Sequence, residues 1–369
     1  MVILLLVLLL ALLFVALRLI YDHFWDKGFS CTLAFRDDYA TEGEVSALKE
    51  VVVNDKFLPL PAVEVDFHMD RRLDFTDGQN SAVSDQTYRR DIFALSVRQK
   101  ITRTLEFSCL GRGYFQISEA GLTARDLFLT QKYLTSQPQH TEFYVLPKPV
   151  PGEKINVPFS HVMGTILSRQ KLYDDPFEFA GLREYTRSDP MKYINWKATA
   201  HTGKMLTNLH ESTLSQRVLI LLDMEGRGIQ HADILNEFSV RIACTLAERL
   251  LHEGVELGLY SNGRDVLDGG DWKLEAVSGW GSLLAMKKKF ACVQSDNDLP
   301  PVFDFLPDRT AGQWEENLLV LVSRSQRQET VDAFAEKTGK ERGILVIPYQ
   351  VEHKPLSAPK NVDLIWLEV

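Results

Sequence analysis

The first apolar pattern in the chain is unbroken. From Val2 to Leu17 no side chain is polar, and Arg18 alone interrupts the run up to Ile20. A run without a polar face does not suit the surface helix of a globular core. At about 1.5 Å per residue, residues 1–21 make a helix about 30 Å long, enough to cross the hydrocarbon core of a bilayer. Arg18 can extend to the interface, and Tyr21, Phe24 and Trp25 would form an aromatic belt there. No basic segment precedes the run and no A-x-A-like site follows it, which argues against a cleaved signal peptide. Arg18 and Lys27 follow the span, and His23 can add charge. The positive-inside rule therefore predicts a single-pass protein of the cell membrane with the bulk of the chain in the cytoplasm.

A period of two follows over residues 28–147. Val63, Val65, Phe67 and Met69 alternate with Glu64, Asp66 and His68, and Leu105, Phe107 and Cys109 alternate with Thr104, Glu106 and Ser108. Each set is a strand with one buried face. Residues 54–56 and 111–113 lie between such runs and read as turns. Pro59 and Pro61 point to an edge strand or a loop, because proline cannot donate to a ladder. Short antiparallel strands at this spacing predict an all-β sandwich domain. Pro147, Pro149, Pro151 and Gly152 end it.

The pattern changes again within residues 152–369. Val218–Leu222 is a continuous apolar run that ends at Asp223, as a central parallel strand buried on both faces would. Residues 233–253 carry a helical stripe of Ile234, Leu235, Phe238, Ile242, Leu246 and Leu250, closed by Gly254. A strand over 255–260, a strand over 318–322, a helix over 328–337, and strands over 344–347 and 364–369 complete a β/α alternation. This predicts an α/β doubly wound sheet. Ligands of such sheets bind at the carboxyl ends of the strands, where Asp223 and Ser323 stand.

Charge and cysteine content narrow the function. The net charge is −9, from 50 acidic and 41 basic residues, which disfavours a nucleic-acid binder. Cys31, Cys109, Cys244 and Cys292 form no C-x-x-C pair, so no zinc site is expected.

Between the two domains, residues 179–201 read Phe-Ala-Gly-Leu-Arg-Glu-Tyr-Thr-Arg-Ser-Asp-Pro-Met-Lys-Tyr-Ile-Asn-Trp-Lys-Ala-Thr-Ala-His. This stretch resembles the signature of the bacterial domain-of-unknown-function family 58. Phe179, Gly181, Arg183, Tyr185, Asp189, Lys192, Ile194, Trp196, Lys197 and Ala200 carry the likeness. Lys192 stands where Arg is usual, Ser188 where Gly is usual, and His201 where Arg is common. The Arg112-Gly113-Tyr114 and Asp126-Leu127-Phe128 segments fit the same family. Many members have two N-terminal helices, whereas this sequence shows one. The resemblance implies a von Willebrand factor A-like α/β domain. It also implies partnership with a MoxR-type AAA+ ATPase and association with a transglutaminase-like membrane protein.

Two roles are open to the charge cluster of Arg183, Glu184, Asp189, Lys192 and Lys197 beside Tyr185 and Trp196. It can be a partner or anion-binding surface, or a salt-bridged cap that docks on the sheet with Trp196 in the core. The cap is the expectation, since ion-pair networks gather charge for structural reasons too. An A-like domain typically holds magnesium through Asp-x-Ser-x-Ser. Here the loop reads Asp223-Met224-Glu225-Gly226-Arg227. Asp223 and Glu225 could offer oxygen, but Arg227 brings positive charge, so no cofactor is expected. No P-loop and no G-x-S-x-G occurs, and Gly279-Trp280-Gly281-Ser282 only approaches the latter. His201 and His210, with Glu211, are more simply structural than an acid/base pair. The sequence thus predicts a membrane-anchored, non-enzymatic adaptor for a MoxR-type ATPase. The alternative is an extracytoplasmic ligand-binding or adhesion module that uses a metal.

Overall fold

The computed structural model describes residues 1–77, 81–83, 86–172, 179–186, 191, 194–210, 217–225, 232–295, 299–305, 317–350 and 355–369. The chain forms two compact units. One is Met1–Lys148 with Phe290–Cys292, and the other is Pro149–Lys289 with Val293–Val369.

The first unit starts with one apolar helix, α1 (Val2–Phe24), long and apolar enough to cross a membrane. It runs three residues past the expected end. Its last turn does not sit in a simple aromatic belt. Tyr21 is buried and belongs to the core of the strands that follow, and its hydroxyl donates to the Pro59 carbonyl at 2.7 Å. Trp25 stacks on Tyr133, and the Tyr133 hydroxyl donates to Asp22 at 2.6 Å.

Those strands are β1 (Phe29–Phe35), β2 (Tyr39–Thr41), β3 (Val45–Asn54), β4 (Leu60–Asp70), β5 (Leu73–Phe75), β6 (Ser81–Val83), β7 (Gln86–Leu95), β8 (Gln99–Cys109), β9 (Gly113–Arg125) and β10 (Lys132–Leu146). One sheet has the order β1-β3-β8-β5 and the other β2-β10-β9-β4-β7-β6. Alternation turns Val63, Val65, Phe67 and Met69 of one sheet, and Leu105, Phe107 and Cys109 of the other, into one shared core. Pro61 sits in β4, a central strand rather than the edge strand or loop expected of it. A register shift between Leu60 and Val63 makes room at that point, so no ladder donor is missed. The outer strand β1 is covered by side chains of β10: Gln137, Gln139 and Thr141 accept from the amides of Cys31, Leu33 and Phe35. These bonds satisfy an edge that would otherwise invite another chain.

The core of this unit also holds charge. Glu50, Arg89 and Asp91 are buried. Arg89 pairs with Asp91 at 2.7 Å and with Asp77 at 2.8 Å, and Arg103 reaches Asp91 at 2.6 Å. Both Glu50 oxygens lack a hydrogen bond among the described residues.

The second unit opens with α2 (Gly152–Leu172), a helix the sequence pattern did not announce. Next come β11 (Phe179–Glu184), α3 (Trp196–Thr202) and β12 (Leu206–His210), with β11 and β12 paired antiparallel. The main sheet follows: β13 (Arg217–Leu222), α4 (Ala232–His252), β14 (Glu256–Asp265), β15 (Asp271–Val277), α5 (Leu283–Ala291), β16 (Val293–Gln294), β17 (Leu318–Val322), α6 (Gln328–Thr338), β18 (Gly343–Tyr349) and β19 (Val362–Glu368). The spatial order is β15-β14-β13-β17-β18-β19, with β16 also on β14. β14, β13, β17, β18 and β19 are mutually parallel. β15 and β16 are antiparallel to β14.

Strands β13 and β17 are buried along nearly their whole length. Leu219, Leu221, Leu319, Leu321, Leu345 and Ile347 pack with Val331 and Phe334 of α6. Helices α2 and α4 pack together and contact β17 and β18. Along α4 the expected stripe is buried except for Ile234, which is exposed in the first turn. From β13 the chain moves through α4 to β14 on one side. From β17 it moves through α6 to β18 on the other. The two connections diverge, which leaves a crevice above the carboxyl ends of β13 and β17.

Candidate functional site

That crevice holds Asp223. It follows β13 directly, and its amide continues the parallel ladder by donating to Val322 at 3.0 Å. Its carboxylate is buried and occupied by donors. Oδ2 accepts from the Ser323 hydroxyl at 2.7 Å, and Oδ1 accepts from Asn262 Nδ2 at 3.0 Å and from the Glu225 amide at 3.2 Å. Asn262 comes from β14 and also accepts from the Met224 amide at 2.8 Å. Three adjacent strands therefore meet on one carboxylate.

Glu225 does not complete a cation site. Its carbonyl accepts from the Arg324 guanidinium, with Nε at 3.0 Å. Its carboxylate faces Arg327 at 3.4 Å. Burial draws the Arg324 guanidinium below its ordinary range, and the charges of Asp223 and Glu225 offset only part of that. This donor set fits a resident magnesium ion poorly: three protein donors already occupy the Asp223 oxygens, and the buried Arg324 guanidinium stands nearby. Arg227, from which the sequence drew its objection to a metal, lies outside the described residues. Arg324 and Arg327, one strand over, supply positive charge that the reading of the Asp223 loop missed.

The signature segment builds a small separate module of β11, α3 and β12. Asn195 caps α3 by accepting from the Ala198 amide at 2.9 Å, and Gly203 ends it in the left-handed conformation at φ 71°. Ile194 is buried and bridges to Thr207. The expectation of a docked Trp196 is overturned: it is 63% exposed, and Ile194, two positions before it, is buried instead. Lys197 and Arg183 are exposed too. Glu184 pairs with Lys204 at 2.9 Å rather than with a charge of the signature. The hydrogen bond and charge of Lys204 hold the Glu184 carboxyl below its usual range. Tyr185 is half-buried and its amide donates to the Met205 carbonyl at 2.9 Å. Asp189 and Lys192 lie outside the described residues. Leu182, Met191 and Met205 of the same module are exposed as well.

No protein-family model matches this sequence, and no curated protein matches it either. Three of the solved structures that are similar in part illustrate the likeness. A CARDB domain from Pyrococcus furiosus is 11% identical, with TM-score 0.20, covering 31% of this chain and 90% of that one. A non-cellulosomal cohesin from Archaeoglobus fulgidus is 13% identical, with TM-score 0.21, covering 32% and 91%. A cohesin module of a Clostridium perfringens family 33 glycoside hydrolase is 10% identical, with TM-score 0.22, covering 31% and 98%. Likenesses this weak carry no argument about what the chain does.

The remaining sequence positions acquire simple surroundings. Ser282 sits in a short 3-10 turn and donates to the Ser278 carbonyl at 2.9 Å. His201 is exposed at the end of α3, and Glu211 lies outside the described residues.

Proposed function

We propose that this chain is a membrane-anchored, non-enzymatic interaction protein whose second unit is a doubly wound, von Willebrand factor A-like domain. In this reading the resemblance to domain-of-unknown-function family 58 is genuine, and the partner is a MoxR-type AAA+ ATPase. A transglutaminase-like membrane protein is a second associate. Both units face the cytoplasm, as Arg18 and Lys27 after the span suggest.

The observation that carries the proposal is the exposure of large side chains across the signature module. Trp196, Leu182, Met191 and Met205 are each exposed, as are Arg183 and Lys197. Large aromatic side chains, methionine and arginine are the residues that anchor protein interfaces. Exposing a tryptophan offers no gain to an isolated fold. The donor-filled carboxylate of Asp223 agrees with an interface that works without a metal.

The test is retention of a purified MoxR-type ATPase by the full chain, immobilised in detergent micelles, with ATP or ADP present. Retention by wild type and its loss in Trp196→Ala support the proposal. Absence of retention in both nucleotide states overturns it.

A further inference from the structure

The tip of the β9–β10 hairpin is apolar and exposed: Leu127 is 47%, Phe128 46% and Leu129 53% accessible. An open sandwich tip of this composition is costly in water. The tip also lies along α1. The Phe128 ring is 5.1 Å from the Phe14 ring, and Arg18 donates to Gln131 at 3.3 Å. Phe128 is thus level with Phe14, and Gln131 is level with Arg18.

The length of α1 converts this level into a depth. Phe14 lies about 18 Å along the helix from Val2, at about 1.5 Å per residue. A hydrocarbon core about 30 Å thick, entered at Val2, extends to about Asp22. Tilt would carry the far boundary still further along the helix. A side chain level with Phe14 is therefore inside the hydrocarbon.

The second half of the tip has its backbone donors satisfied within the protein. Backbone donors placed in lipid must be satisfied within the protein. The Leu129 amide donates to the Asp126 carbonyl at 3.0 Å. The Thr130 amide and hydroxyl, and the Gln131 amide, all donate to the Asp126 carboxylate, at 2.6, 2.7 and 2.9 Å. Leu129 takes a positive φ of 58°, uncommon for a branched apolar residue, and stands exposed there. One buried aspartate thus satisfies the Thr130 and Gln131 amides, and the exposed side chains of Leu127, Phe128 and Leu129 flank it.

We propose that the β9–β10 tip is a second membrane contact, inserted into the bilayer leaflet beside α1, with Leu127, Phe128 and Leu129 in the acyl chains. The β3–β4 turn lies nearer the headgroups. Phe57 is exposed there beneath the Arg98 guanidinium, 4.1 Å from its ring, and Pro59 is level with Tyr21. An arginine over an aromatic ring is suited to that zone. This inference rests on α1 crossing the bilayer.

The test uses the full chain in phosphatidylcholine/phosphatidylglycerol vesicles. The four native cysteines are buried, so a spin label attaches to an introduced thiol. Labels at Phe128→Cys and, separately, Leu127→Cys are compared with Leu12→Cys on α1 and Thr102→Cys on exposed β8. The readout is collision with oxygen, which partitions into lipid, relative to a water-soluble nickel chelate. The expected result is an oxygen-to-nickel ratio at both tip positions close to that at Leu12 and well above that at Thr102. If Leu12 reads lipid while both tip positions read water, insertion is overturned and the anchor stands. If both tip positions are shielded from both reagents, protein covers the tip and insertion is again overturned. If Leu12 itself reads water, the anchor and the inference both fall.

Discussion

The Ser323 hydroxyl donates to Oδ2 of Asp223 at 2.7 Å, tying the carboxyl end of β17 to that of β13. With Asn262 on the other oxygen at 3.0 Å, the carboxylate acts as a rivet across three strands. Removing it leaves two buried donors without an acceptor, at a cost of roughly 1–3 kcal/mol each. Asp223→Ala is expected to lower the melting temperature, and millimolar magnesium is expected to leave the wild-type melt unmoved. A ligand bound to the folded state would raise it by mass action. Calorimetric melts with and without magnesium decide the matter: a magnesium-dependent rise lost in Asp223→Ala would make the carboxylate a metal ligand.

Trp196 and Ile194 should separate in their effects. Trp196→Ala changes an exposed side chain and is expected to shift stability by roughly 0.5 kcal/mol or less, while abolishing capture of the ATPase. Ile194→Ala opens the small core of the module and is expected to cost roughly 2–5 kcal/mol. Paired melts and pull-downs check both. A large loss of stability in Trp196→Ala would return that side chain to a structural role.

Glu50 supplies a pH dependence. Burial first, and then the neighbouring Asp91, push its carboxyl up to about 8, against the pull of Arg103 and Arg89. Cys31 is the other titratable group beside it, and Asp77 joins the cluster through Arg89. The folded carboxyl is raised above its unfolded value of about 4.5. The stability it contributes is therefore complete below that pH and is lost as pH rises through about 8. Glu50→Gln, which cannot ionise, is expected to match wild type near pH 4.5 and to exceed it near pH 9. The expected gap is on the order of a few kcal/mol, at about 1.4 kcal/mol per pKa unit. Chemical-denaturation curves at the two pH values measure it; a constant gap would mean Glu50 is not the titrating group.

The place where α1 can be cut follows from Tyr21. Deleting residues 1–20 removes only exposed or half-exposed side chains. Deleting residues 1–25 also removes Tyr21 from the core and Trp25 from its stack on Tyr133. The longer deletion is expected to be less stable by several kcal/mol, as for the loss of a buried aromatic. Thermal melts of the two fragments give the answer; equal melting would show that the last turn of α1 contributes nothing.

What was legible in the chain follows from how locally each feature is encoded. Val218–Leu222 could be read as a central strand because burial on both faces leaves an unbroken apolar run. Helix α2 could not. Ile155, Val162 and Ile166 are its buried aliphatic side chains among the described residues, but Thr165 and Arg169 complete the same buried face with polar side chains and Pro158, also buried, is ordinarily a helix breaker, so no apolar stripe is visible. At the crevice, Asp223 and Ser323 were visible as strand ends. Asn262 and Arg324 were not, because only the strand order brings them to the carboxylate. Trp196 misled for a physical reason. A large apolar ring suggests a core, but a two-stranded ribbon with a seven-residue helix has room to bury Ile194 and not the indole.

The continuity of α1 with its docking site has a mechanical meaning. A membrane protein with a floppy segment after its span hangs from the bilayer and turns freely. Here Tyr21 is embedded in the sandwich, Asp22 is bonded to Tyr133 and Trp25 is stacked on it, so the join contains no slack. Helix α1 and the sandwich must swivel together, like a key and its bow. In the proposed membrane-anchored state, any neighbour that grips one side of α1 thereby sets the compass heading of the sandwich.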